Sequence, residues 1–156
     1  MTSYNWYSYF VCILPPGSGA QVPVAAVIPL GTGLSDTISS IPKMLLGYAH
    51  PYVTRVEHVD CLPSNTSGSI SFCPRGGGGT LTVTGNNFGS TGAVLLIDGE
   101  LCTDVTHDEL SPHDRLTCTL PPGTAALAAI VFIQAGGSVA PISNSSITVR
   151  VLISLT

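Results

Sequence analysis

Leu116-Thr117-Cys118-Thr119-Leu120-Pro121-Pro122-Gly123 reads as a β-strand with a half-buried cysteine, stopped by a Pro-Pro-Gly corner. Proline cannot continue a central ladder, and glycine frees the turn that follows. The same signal stands 106 residues earlier as Phe10-Val11-Cys12-Ile13-Leu14-Pro15-Pro16-Gly17. The offset persists downstream, where Gly31 falls on Gly137, Ile41 on Ile147 and Leu46 on Leu152. The chain therefore holds one full repeat, over 51–156, and the back half of a preceding one, over 1–50.

The full repeat reads as a succession of short strands. Tyr52-Val53-Thr54-Arg55-Val56-Glu57-His58-Val59 alternates as a first strand, and Thr80-Leu81-Thr82-Val83-Thr84 sets Leu81 and Val83 on one face. Gly85-Asn86-Asn87-Phe88-Gly89 is a turn, because Asn and Gly tolerate positive φ. Asp98-Gly99 is a two-residue hairpin signal between Ala93–Ile97 and Glu100–Thr103. Strands at Ala126–Ala135 and Ile147–Leu155 complete the repeat. In the half repeat, Val22–Leu30 reads as an edge strand, since it carries Pro23 and Pro29, and Ile38–Tyr48 as a last strand. No apolar stripe has helical spacing. About seven short strands per repeat, with turns at regular intervals, predict an all-β sandwich.

The composition excludes several functions. Net charge is −4 and only 9% of residues are charged. The five cations (Lys43, Arg55, Arg75, Arg115, Arg150) are scattered, which argues against a phosphate backbone as partner. The longest apolar run, Ala125–Ile133, is far short of the roughly 20 residues of a spanning helix, so no membrane insertion is expected. The first cation is Lys43 and Pro15-Pro16 interrupts the first apolar stretch, so the start does not read as a signal peptide. Five of the ten aromatic residues (Tyr4, Trp6, Tyr7, Tyr9 and Phe10) crowd the N-terminal stretch, where they are a candidate interaction surface.

The five cysteines are an odd number. Cys61 and Cys73 flank a polar loop, while Cys102 and Cys118 lie on two predicted neighbouring strands. They make two bridges, each closing a loop of about a dozen residues and contributing ~3 kcal/mol. Cys12 is left over. The repeat makes it the counterpart of Cys118, so its partner is expected outside this sequence or in another copy. A free buried cysteine is the alternative.

Taken in order, Gly78-Gly79-Thr80-Leu81-Thr82-Val83-Thr84-Gly85-Asn86-Asn87-Phe88-Gly89, Ile97-Asp98-Gly99-Glu100-Leu101-Cys102 and the Cys118 strand with its Pro-Pro-Gly corner resemble the IPT/TIG domain, an immunoglobulin-like β-sandwich. The resemblance covers 51–156 in full, and residues 10–52 look like the end of a preceding copy. It implies one of two main settings. Tandem extracellular copies, as in plexin- and fibrocystin-like ectodomains, are rigid spacers and adhesion surfaces. In Rel-type transcription factors a copy helps in dimerisation and DNA contact; other copies are accessory domains of starch-degrading enzymes. The sparse acidic charge speaks against the nuclear setting.

Two glycosylation sequons, Asn65-Thr66-Ser67 and Asn144-Ser145-Ser146, agree with the disulfides on an extracellular or cell-surface setting. Asp104, His107, Asp108, Glu109, His113 and Asp114 crowd one loop, but their spacing fits neither an EF-hand nor a zinc motif, and a solvated acidic loop is expected. Gly76–Gly79 lacks the Gly-Lys-Ser/Thr of a phosphate loop and reads as a hinge or strand entry. There is no nucleophile elbow and no Cys-x-x-Cys. The expectation is a non-enzymatic structural module without cofactor or metal. Its tandem repeats would form a rigid, glycosylated filament or stalk, with other copies or adjacent repeats and covalent glycans as partners. The alternative is a receptor or adhesion ectodomain spacer that binds a protein or glycan.

Overall fold

The computed structural model describes residues 9, 11–19, 21–29, 37–65, 67–135 and 148–151. Tyr4, Trp6, Tyr7 and Asn144 lie outside them.

Residues 22–46 form a ribbon rather than two long strands. Strands β1 (Val22–Val24) and β4 (Lys43–Leu46) pair antiparallel, as do β2 (Val27–Pro29) and β3 (Thr37–Ser39). Each expected strand is thus broken in the middle. Pro42 lies in the break of the second strand and removes a ladder donor there, while Pro23 and Pro29 lie within β1 and β2. Ser40 bridges the break: its N–H donates to the Ala26 carbonyl at 2.8 Å, and its Oγ accepts from the Ala26 N–H at 2.9 Å.

The full repeat carries β5 (Tyr52–His58), β6 (Leu62–Pro63), β7 (Ile70–Cys73), β8 (Thr80–Asn86), β9 (Val94–Ile97), β10 (Glu100–Leu101), β11 (Thr103–His107), β12 (Arg115–Thr119), β13 (Ala128–Ile133) and β14 (Thr148–Val151). One sheet runs β11-β12-β8-β5, all antiparallel. The other runs β10-β9-β13-β14-β7-β6, with β14 and β7 parallel. Asp98 (φ 53°) and Gly99 (φ 87°) both take positive φ between β9 and β10, the geometry of a type I′ hairpin.

The core follows the alternation read from the sequence. Leu81 and Val83 of β8 and Leu116 and Cys118 of β12 join Leu95, Ile97, Ile130 and Phe132 of the other sheet in one buried cluster. Thr80, Thr82 and Thr84 remain outside it. Phe88 stacks on Phe132 with ring centroids 4.4 Å apart, an arrangement that adds to simple area burial.

Cys102 is displaced from its expected strand. It lies between β10 and β11, where the chain leaves one sheet for the other. Its N–H still donates to Leu95 of β9 at 2.9 Å, while the next residue, Thr103, already faces Thr119 of β12. Both expected bridges are present, Cys61–Cys73 and Cys102–Cys118, with Cα atoms 4.5 and 5.8 Å apart.

Gly76–Gly79 has a definite role. Gly78 N–H donates to the Leu120 carbonyl at 2.8 Å, Leu120 N–H to Gly79 at 3.2 Å, and Gly123 N–H to Arg75 at 2.9 Å. The glycine run and the second Pro-Pro-Gly corner are therefore two sides of one closure. Gly77 has φ 65°, and a side chain there would strike the Leu120–Pro122 backbone. His58 braces the same run. Asp60 N–H donates to its Nδ1 at 3.1 Å, leaving Nε2–H to donate to the Gly78 carbonyl at 2.9 Å.

Candidate functional site at the repeat junction

The structure brings the N-terminal segment and the β-sandwich together at a small buried contact. β13 continues its inward parity beyond Phe132 to Gln134, a polar residue only 2% exposed. Its Oε1 accepts from Gly19 N–H at 3.2 Å, and its Nε2 donates to the Asn87 carbonyl. Gly19 is held from its other side by Tyr48 N–H, which donates to its carbonyl at 2.9 Å. Asn87, at φ 61°, donates from Nδ2 to the His50 carbonyl at 3.1 Å. Ser18 packs on Gly89, and Pro51 is fully buried. The Asn-Asn-Phe-Gly turn of the full repeat is thus a seat for the half repeat and its connection.

The two Pro-Pro-Gly corners are closed differently. At the first corner the Tyr48 hydroxyl donates to the Pro15 carbonyl at 2.9 Å and its ring lies over Gly17. The strand before the corner also differs. Cys118 and Leu120 are 3% and 4% exposed, but their counterparts Cys12 and Leu14 are open to solvent, Leu14 at 54%. Cys12 is exposed rather than buried and forms no disulfide within this chain. Tyr9 of the expected aromatic surface is 82% exposed.

The acidic loop uses its carboxylates on itself. Asp104 Oδ2 accepts from the Thr103 and Thr119 hydroxyls at 3.2 and 3.0 Å. Asp108 Oδ1 accepts from the N–H groups of Leu110 and Ser111 and from the Ser111 hydroxyl. No group of three or more potential metal ligands occurs among the described residues. The Ser111 N–H, its hydroxyl and the Leu110 N–H hold the Asp108 carboxyl below the usual aspartate range. A depressed folded value stabilises above the unfolded value, and the gain is lost as pH falls through the folded one. Asp108→Asn should therefore destabilise at neutral pH and show a flatter acid limb than the parent. Denaturation midpoints from pH 2 to 7 check this, and parallel curves would contradict it.

Asn65 is exposed in the loop between β6 and β7. Beside this loop, along β5, runs a groove of about 540 Å³ that includes Thr54, Ser64, Ser67 and Ser69. A second, of about 410 Å³, lies at the second Pro-Pro-Gly corner.

A family model described as the IPT/TIG domain matches residues 63–151. The chain belongs to the IPT/TIG family. Comparison with curated proteins and with solved structures returns no match. The IPT/TIG domain is an immunoglobulin-like structural module, typically non-enzymatic and often part of extracellular or receptor proteins. In this chain the matched region holds the second disulfide, the Asn-Asn-Phe-Gly seat and Gln134. The first disulfide is only partly inside it, and β5, which precedes it, completes the four-stranded IPT/TIG sheet. No helix among the described residues is long and apolar enough to cross a membrane.

The sequence reading missed Gln134. A signal was present: it shares parity with Ala128, Ile130 and Phe132, so a polar side chain there points inward and needs partners.

Proposed function

We propose that this IPT/TIG chain is a non-enzymatic structural module of an extracellular or cell-surface protein, in which tandem repeats form a rigid, glycosylated stalk or filament. The junction carries the reading. A flexible tether would leave Gly19 and His50 hydrated, whereas here their polar groups are fixed through Gln134 and Asn87. Two disulfides and the hydroxyl-rich, weakly charged surface support an oxidising, glycosylated setting, with Asn65 and Asn144 as the glycan sites. The partner of Cys12 lies outside this sequence or in another copy. The partners are adjacent repeats or other copies. The exposure of Tyr9 favours a second reading, in which the N-terminal aromatic stretch makes the module a receptor or adhesion spacer that binds a protein or glycan.

Gln134→Ala tests the junction. It leaves the Gly19 N–H and the Asn87 carbonyl without their partner and should weaken the docking of the half repeat by about 1–2 kcal/mol. Amide exchange at Gly19 and Tyr48 should accelerate, while exchange in β8 and β12 stays as in the parent. Unchanged exchange at both amides would mean that the junction is held by something else, and the rigid-stalk reading would lose its support.

A further inference from the structure

The loop between β6 and β7 is held against the sandwich. Ser64 N–H closes its base by donating to the Ser69 carbonyl at 3.0 Å, and Val56 N–H of β5 donates to the Gly68 carbonyl at 2.8 Å, which pins the tip. Gly68 has φ 78°, and a side chain there would strike the Thr54 carbonyl, so glycine is what lets the tip come this close. The sequon Asn65-Thr66-Ser67 is therefore held beside β5, the outer strand of the four-stranded sheet. Asn65 is exposed. Ser67, the hydroxyl residue of the sequon, lines the groove of about 540 Å³ that runs along β5. That volume falls among small-ligand clefts, roughly 300–1,000 Å³. The same groove is lined by Thr54, by Pro63 and by the Arg55–Glu57 ion pair, whose charged groups meet at 2.6 Å and are both exposed.

We propose that this groove is the seat of the glycan carried by Asn65, whose chitobiose core lies along β5 instead of extending into solvent. The lining suits an N-acetylated sugar. Arg55 offers donors and Glu57 acceptors to hydroxyl and acetamide groups. The Thr54 hydroxyl, which already donates to the Thr84 carbonyl at 3.0 Å, still offers a lone pair. Pro63 gives the acetamide methyl an apolar contact. An exposed ion pair contributes little to stability by itself, so its groups exchange part of their mutual contact for sugar hydroxyls at small cost. The covalent link supplies the rest, because a ligand tethered beside its groove binds at a high effective concentration and needs only weak contacts. The seated glycan also has an effect on the sheet. β5 is an edge strand that Gly68 caps at Val56, and a sugar along the same strand blocks pairing with a foreign strand. This rests on the reading of Asn65 as a glycan site and adds where the glycan goes and what it covers.

The test uses the whole chain secreted from a host that adds N-glycans. Peptide mass spectrometry reads whether Asn65 is occupied. In the glycosylated parent, proton cross-relaxation should connect the acetamide methyls of the core to Thr54, Arg55 and Glu57. An endoglycosidase that cuts within the core should trim Asn65 of the native parent about tenfold more slowly than Asn65 of the variant with Arg55→Ala and Glu57→Ala. The two chains should be trimmed equally fast once unfolded. Amide exchange at Val56 checks that the loop stays pinned in the variant, and the cross-relaxation result, which needs no variant, decides if it does not. An occupied Asn65 without those contacts overturns the seat, as does equal trimming of the two native chains, and both leave the glycosylated reading standing. A bare Asn65 overturns the seat and the assignment of Asn65 as a glycan site together.

Discussion

Gly85→Ala is expected to destabilise the full repeat by about 3 kcal/mol. Gly85 is buried at the end of β8, opposite Val53 of β5, beside the register shift between Val53 and Arg55. That irregularity presses the Tyr52 carbonyl oxygen over the glycine. An added Cβ would lie 2.0 Å from this oxygen and 2.6 Å from Cζ of Phe88. Neither neighbour can give way easily: the oxygen belongs to the backbone of a paired strand, and the Phe88 ring is stacked on Phe132 in the core. The chain would have to shift β5 or unseat Phe88, and Phe88 N–H is itself bonded to the His113 carbonyl at 2.8 Å. A urea titration against Thr82→Ala, an outward-facing control expected within about 0.5 kcal/mol of the parent, measures the difference. If Gly85→Ala matched that control, the close approach of Tyr52 would be wrong.

Cys102→Ala combined with Cys118→Ala is expected to remove about 3 kcal/mol, from a closed loop of 16 residues. The position of the bridge decides how that loss shows. Cys102 and Cys118 are 1% and 3% exposed, and their bridge ties the crossing between the sheets to the central strand β12, so amides of β8 and β12 should exchange faster together. Cys61→Ala with Cys73→Ala should behave differently. That bridge spans the edge ribbon β6–β7, where Leu62 and Phe72 are 60% and 54% exposed, so local opening of the ribbon should precede any global change. A thiol reductant that left the thermal midpoint of the parent unmoved would contradict the expectation for Cys102–Cys118 and would take away the support that the disulfides give to an oxidising compartment.

Much of the fold was legible because its signals are local. Leu81 and Val83, or Leu116 and Cys118, fall on one face by the period of two, whatever the strand pairs with. Asp98-Gly99 allows the positive φ of its hairpin without help from the rest of the molecule. The pairing of four cysteines followed from short loops. The breaks in the ribbon were less legible: Pro42 announces a lost donor, but the point where Ser40 bridges to Ala26 depends on how two strands meet.

The sequence by itself determined the strand faces, the turn chemistry, the two disulfides and the family. Tertiary structure alone decided that the glycine run closes the second Pro-Pro-Gly corner, that Cys102 marks a crossing between sheets, and that Gln134 joins Gly19 across 115 positions. The physical reason is range. Side-chain alternation and backbone φ are fixed within a few residues, whereas the partner of a buried amide or of a free carbonyl is whichever group the packing of two sheets brings within 3 Å or so.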